Sequence, residues 1–388
     1  MLRDALYSNR WTRIQGDKVV AFEKRWGKML GIKYCFATNA GTTALDCAVR
    51  GIRIQPGDEV LVPSFASLPV STMPFNCNAL PVFVEPEQQT FGIDPSRLEE
   101  KITEHTKAII AVHWGGQPCD MDGILAAARK HNLRVIEDSC QAPLAEWNGK
   151  KTGTLGDVGC FSHQASKGLP CGEGGSIASD NEEIISRSYS WHDYGRMPNW
   201  ATHKPAVTRE WLHYGMNYKM SEFQGAILLS ELDLLEEQIN QRWENARYLD
   251  ELLTGVPGFS PQKLFPQTTK SAHYLYCARY DSKYFHDLPR AKFLKAINAE
   301  GIPMGDAMDP VLHKEPFVEE MLNSPYMTAV FSKERIDRYR KMIRCPAAEK
   351  LASEVVHLPG PVLLSGKSNM DAIAEAIRKV QAYSAQLL

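Results

Sequence analysis

The feature that most constrains this chain is an alternation. From about Tyr34 to Asp180, short apolar runs of strand length are separated by helical patterns. The strand-like runs cover 34–38, 59–62, 80–84, 108–112, 134–137, 158–161 and 176–178. Helical periodicity fills the gaps, as over 121–131. Asp94 followed by Pro95 predicts the start of a further helix, an N-cap and then a proline in the first turn, with Leu98 and Ile102 four apart on one face. This order of elements predicts a mostly parallel, seven-stranded sheet covered by helices on both faces.

The pattern changes beyond that stretch. Ser221-Glu-Phe-Gln224 reads as a capping box that opens one long helix, with Phe223 and Ile227 on its apolar stripe, running past Glu237. A Pro- and Gly-containing stretch, 256–267, precedes a smaller α/β unit. Its strand is expected at 274–280. One helix is expected from Pro289 to before Gly301 and another over 370–383. The predicted division is a large α/β domain over 1–250, with 1–15 free to pack elsewhere, and a small C-terminal α/β domain over 251–388.

Composition narrows the function. The 388 residues carry a formal net charge of −2, so no general field attracts nucleic acid or a membrane surface. No run of about 18 apolar residues occurs, and the start MLRDALYSNRW lacks a basic-then-apolar signal pattern. Nine scattered cysteines, never spaced C-x-x-C, argue against a disulfide framework or a zinc ribbon. A cytoplasmic protein with reduced thiols and no metal is expected. G-x-G-x-x-G, H-E-x-x-H and G-x-S-x-G are absent, which removes nicotinamide, zinc-protease and serine-hydrolase chemistry.

Four segments can carry chemistry, and most fall just past strand ends, where an α/β sheet places its ligand. In Thr38-Asn-Ala-Gly-Thr-Thr-Ala-Leu45 a strand gives way to a helix, and N–H groups at Gly41 and Thr42 suit a phosphate; the segment also reads as a plain cap. In Val135-Ile-Glu-Asp-Ser-Cys-Gln-Ala142, Asp138 follows an apolar strand. A partly desolvated carboxylate there needs a cation, such as a protonated ring nitrogen, or serves only as a helix cap. In Phe161-Ser-His-Gln-Ala-Ser-Lys-Gly168, followed by Cys171-Gly-Glu-Gly-Gly175, Lys167 can act as a Schiff-base nucleophile. Gly215-Met-Asn-Tyr-Lys-Met-Ser-Glu-Phe-Gln224 reads as a polar loop plus a cap.

In this order and at these separations, the segments resemble the DegT/DnrJ/StrS family of sugar aminotransferases, fold-type I enzymes that use pyridoxal 5′-phosphate (PLP). The likeness runs from Gly16-Asp17 to His357-Leu-Pro-Gly-Pro-Val-Leu-Leu364. Asn217 to Leu229 is most similar to the glutamine:scyllo-inosose aminotransferase subgroup. The resemblance implies that Lys167 forms the Schiff base with PLP and that Asp138 pairs with the ring nitrogen. It places Gln141 beside the ring and its 3-hydroxyl, and Gly41, Thr42 and Ser162 on the phosphate. Gln164 lines the site, and Asn217 reaches the phosphate site of the neighbouring subunit in a homodimer. It implies glutamine or glutamate as donor and a keto-cyclitol or keto-sugar as acceptor.

Three positions depart from the family pattern. Ser67, in Pro63-Ser-Phe-Ala-Ser67, occupies the slot where an aromatic side chain usually stacks on the cofactor, and Phe65 is the nearby candidate to replace it. Lys219 stands where arginine is usual, and the two are not equivalent anion grips. His163 replaces an apolar residue. Because some sugar-dehydrating relatives carry histidine instead of the lysine, His163 and Ser67 keep a dehydratase reading open. A nucleotide-linked keto-hexose acceptor and a non-enzymatic regulator stay open as well. The aromatic and basic stretch 191–211 is expected to shape the acceptor pocket.

Overall fold

The computed structural model describes residues 1–206, 214–306 and 311–388. The predicted runs form one seven-stranded sheet: β1 (Tyr34–Thr38), β2 (Glu59–Pro63), β3 (Leu80–Val84), β4 (Thr106–Val112), β5 (Arg134–Asp138), β6 (Val158–Ser162) and β7 (Gly175–Ser179). Their order is β1-β7-β6-β5-β4-β2-β3, and only β7 runs against its neighbours. The strands are almost wholly apolar because helices cover both faces, which is what a buried parallel sheet requires. This topology brings the carboxyl ends of β1, β5 and β6 to one edge, with Thr38 and Ser162 both opposite Gly175.

The covering helices include α1 (Lys18–Leu30), α2 (Gly41–Gly51), α3 (Met121–His131) and α4 (Glu182–His192). The expected helix after Asp94 forms only two 3-10 turns, Pro95–Arg97 and Glu99–Lys101. Asp94 does cap, accepting from Ser96 N at 2.9 Å. Leu98 fills the core and Ile102 packs against it, but the Ile102 backbone is already extended, so the helix stops short of it. The single long helix expected from Ser221 is also divided, into α5 (Glu222–Glu231) and α6 (Leu235–Leu253). In the turn between them Asp233 N donates to Ser230 O at 3.2 Å and Leu234 N to Glu231 O at 3.1 Å, and the Asp233 carboxylate pairs with Arg25 at 2.7 Å. Leu228, Leu232, Leu235 and Ile239 pack with α1 below the sheet, whereas Ala246, Leu249 and Leu253 enter a second core.

That second core lies under a four-stranded antiparallel sheet of β8 (Phe259–Pro261), β9 (Leu275–Tyr280), β10 (Gly305–Asp306) and β11 (Val355–Pro359), in the order β8-β9-β11-β10. Helices α7 (Arg290–Ala299) and α8 (Lys367–Ala382) close it. The short helices over 316–354 contribute Val318, Leu322, Phe331, Tyr339 and Leu351 to the core of the seven-stranded sheet instead.

Near the chain start, Arg13 is fully buried against Glu23 of α1, Nε to Oε1 at 2.8 Å and Nη2 to Oε2 at 2.8 Å. Nη1 donates to the Tyr189 hydroxyl at 2.9 Å, and Glu23 Oε1 also accepts from Ala37 N at 2.9 Å. Burial works against both charges, but each holds the other ionised, so the Glu23 carboxyl titrates below its usual range. Arg13→Leu leaves an uncompensated buried carboxylate and is expected to cost about 3–5 kcal/mol. Denaturant unfolding measures it; a loss below about 1 kcal/mol would contradict the burial of that pair.

Three histidines are buried without a carboxylate partner. Burial lowers His163 to about 4 and His192 and His273 to about 3. The unfolded chain takes up these protons near pH 6.5, so it binds more protons than the fold at lower pH. Stability should fall as pH drops from 6.5 toward 4. Thermal midpoints recorded from about pH 7 down to about pH 5 test this, and a flat profile would overturn it.

Candidate active site

Past the carboxyl ends of β1, β5 and β6 lies a cavity of about 260 Å³. Gly41, Thr42, Ser67, Asp138, Ser162, Gln164 and Lys167 all line it, together with Ala40, Leu45, Pro69, Cys140 and Glu173. Seven of the nine residues singled out from the sequence thus meet in one space. At one end α2 begins at Gly41, whose first-turn N–H groups have no acceptor inside the helix. A Cβ on Gly41 would sit 2.7 Å from Ser162 Cβ, so glycine is what lets the helix start approach the Ser162 hydroxyl. Amide dipoles plus a hydroxyl in that narrow end suit an anion.

At the other side Asp138 ends β5, nearly buried, and its Oδ1 accepts from Cys140 N at 3.0 Å. The preceding Glu137 points to the opposite face. It is satisfied there by Gly153 N (2.8 Å), Leu155 N (2.6 Å), Gly156 N (2.7 Å) and the Nε2–H of His113 (3.0 Å). His113 Nδ1 accepts from Cys119 N at 3.2 Å, which fixes that tautomer. The carboxylate pair in the sequence is therefore one structural anchor and one cavity group. Cys140, the cysteine missed as a cavity residue, has its thiol pushed well above the usual range by burial and the Asp138 carboxylate. A thiol so raised is a poor nucleophile.

Gln141 stands just behind the lining. Its Oε1 accepts from Gly115 N at 2.7 Å, which turns Nε2 toward Ser67 Oγ, 3.5 Å away. Gln164 is oriented likewise, because Ser166 N (2.8 Å) and Ser166 Oγ (2.7 Å) both donate to its Oε1. Gln141 thus turns its N–H groups toward a cavity-lining hydroxyl, and Gln164, itself in the lining, keeps its amide N–H groups as its remaining donors. Asn217 lies outside the cavity, exposed, its backbone bridged to Asp193.

The three departures resolve differently. Phe65 does not replace the missing aromatic: it is buried in the core against Trp114, ring centroids 4.8 Å apart, and among the described residues no aromatic side chain lines the cavity. Lys219 Nζ is engaged within its own chain, 2.8 Å from Asp193 Oδ1 and 4.2 Å from the Tyr194 ring centroid. His163 donates from Nδ1 to Leu169 O at 3.0 Å and meets Ser176 Oγ through Nε2 at 3.0 Å, packed edge-on to Phe22. It turns away from the cavity, so of the two residues behind the dehydratase reading only Ser67 lies at the site. Of the stretch expected to shape the acceptor pocket, none of the described residues, 191–206, lines this cavity. Trp191 donates to Asp46 Oδ2 at 2.7 Å, and Trp200 packs on Tyr34 and Tyr189. Residues 207–211 lie outside the described residues.

Tyr274, which nothing in the sequence pattern marked, faces Lys167: the ammonium lies 4.2 Å from its ring centroid. Elsewhere, all nine cysteines are free. Among the described residues no cluster of three metal-binding side chains occurs, and no helix is long and apolar enough to cross a membrane.

The architecture is that of PLP-dependent aminotransferases of fold type I. The crystal structure of 3-amino-5-hydroxybenzoic acid synthase superposes with a TM-score of 0.85 at 27% identity, covering 98% of this chain and 95% of that one. Within that class the chain belongs to the DegT/DnrJ/EryC1/StrS aminotransferase family, whose pattern matches residues 1–378. It is 33% identical to the L-glutamine:2-deoxy-scyllo-inosose aminotransferase of Streptoalloteichus tenebrarius, over 100% of this chain and 92% of the relative. It is 34% identical to the GDP-perosamine synthase of Caulobacter vibrioides, over 79% of this chain and 80% of the relative. The protein is an aminotransferase.

Proposed function

We propose that this aminotransferase binds PLP in the Lys167 cavity and moves the amino group of glutamine to the ketone of a keto-cyclitol. One observation carries the cofactor assignment: Lys167, Asp138, Ser162 and the start of α2 line the same cavity. A cation-seeking carboxylate, a carbonyl-seeking amine and an anion-seeking helix start match the three chemical ends of PLP. Likeness to a glutamine:deoxy-inosose aminotransferase over the full chain supports the donor and acceptor.

On this reading Gly41 N, Thr42 N and the Ser162 hydroxyl hold the phosphate. Asp138 holds the proton on the ring nitrogen, and Gln141 and Gln164 donate N–H groups at the ring edge. Bound there, PLP supplies a carbonyl carbon for the lysine and an electron-accepting ring. Lys167 Nζ, once free, takes the α proton of the donor and returns it to the cofactor's side of the system. Asn217 is exposed and reserved for the cavity of a second copy, making the enzyme a homodimer with shared sites.

A nucleotide-linked keto-hexose is the second acceptor reading, favoured by the likeness to GDP-perosamine synthase. Incubating the enzyme with PLP, L-glutamine and either a scyllo-inosose or a nucleotide-linked 4-keto-hexose separates the two. Mass spectrometry should detect an aminocyclitol together with 2-oxoglutaramate. Amino transfer confined to the nucleotide sugar would replace the cyclitol reading.

A further inference from the structure

The geometry points to Tyr274 as a positioning residue for Lys167: its ring face holds the lysine ammonium whenever the amine is free of the cofactor. The inference rests on Lys167 being the amine of the proposed reaction. Lys167 is carried on the loop between β6 and β7, whereas Tyr274 immediately precedes β9 of the four-stranded sheet. Its ring centroid is 4.2 Å from Nζ, within cation–π range. Both its backbone and its hydroxyl are engaged. The Tyr274 carbonyl accepts from Gly360 N at 2.8 Å, and its hydroxyl pairs at 3.0 Å with Ser166, the residue before the lysine. Close packing reinforces this, since a Cβ on Gly116 would meet Tyr274 N at 2.7 Å.

The choice of an aromatic face has chemical sense. Lys167 would have to accept a proton from one carbon and surrender it to another, the C–H electron pair remaining behind on the first. A carboxylate partner would hold the ammonium strongly and compete for its proton. A π face attracts the charge but accepts no proton, so it fixes where Nζ rests and leaves it able to discharge. It also restricts a side chain with four rotatable bonds to one region of the cavity.

Two variants separate ring from hydroxyl. In Tyr274→Leu, exchange of the α-deuterium of labelled L-glutamine by the holoenzyme should slow about tenfold with donor KM within about twofold, and Tyr274→Phe should restore most of the rate. Without cofactor, an amine-reactive label quantified by peptide mass spectrometry should modify Lys167 about threefold faster in Tyr274→Leu, because the ammonium is no longer stabilised or covered. Other lysines serve as the internal reference for folding. Wild-type exchange and labelling in Tyr274→Leu would overturn the inference, as would equal losses in both variants, which would assign the effect to the hydroxyl. If Lys167→Ala itself retained exchange, the reading of the site would fail instead.

Discussion

Lys167→Ala is expected to lose transamination by at least about 10⁴-fold, the upper end of what a positioned acid–base group alone contributes. The variant should also lack the visible absorbance that a covalent link between PLP and a lysine produces. The size of the effect follows from two separate uses of one amine. As a nucleophile it binds the cofactor carbonyl and primes it for exchange with the donor. As a base and then an acid it moves the α proton. Neither the nearby thiol nor the nearby imidazole can substitute. Cys140 has its thiol held protonated, and His163 faces Leu169 and Ser176 rather than the cavity. A small primary amine added to Lys167→Ala should restore part of the proton transfer but not the covalent link. Single-turnover absorbance and α-deuterium exchange measure the two uses separately. Turnover close to wild type would mean that the cavity is not the catalytic site.

The parts of this protein that can be read from its sequence are those governed by periodicity and order. Seven apolar runs become seven strands because each is buried on both faces and nothing else can satisfy such a run. Lys167, Asp138 and Ser162 are legible because they follow strand ends that the topology brings to one edge. What stays hidden depends on which surface a segment meets. Tyr274 precedes an apolar strand and looks like any core aromatic; only the packing of the two sheets brings it to Lys167. The helices over 316–354 have ordinary amphipathic patterns, which say that a core is buried but not which one. Proximity in sequence sets Phe65 beside the cofactor, yet alternation along the chain turns it into the core against Trp114. The helix that opens at Ser221 serves two cores, its first part packing with α1 and the last turns of α6 under the second sheet, and that change of neighbour is not written in its periodicity.

Asp138→Asn is the second variant with a large expected effect. Asparagine keeps the shape and can still accept the Cys140 N–H, so the substitution removes charge and little else. A carboxylate beside a cation shifts the partner by about 1–3 pK units, which corresponds to about 1.4–4 kcal/mol favouring the protonated ring nitrogen. Losing it should therefore slow α-proton removal about 10- to 1000-fold, with a larger isotope effect when α-deuterated glutamine is the donor. The same substitution tests cofactor affinity. Asp138 is only 5% exposed, so a carboxylate there gives up most of its hydration. A cationic ring nitrogen offsets that cost, and binding and ionisation are coupled. Asp138→Asn should accordingly hold PLP more weakly while its own apo-protein melts no earlier than wild type. Equal affinity and equal exchange rates in the two proteins would show that the carboxylate does not meet the ring.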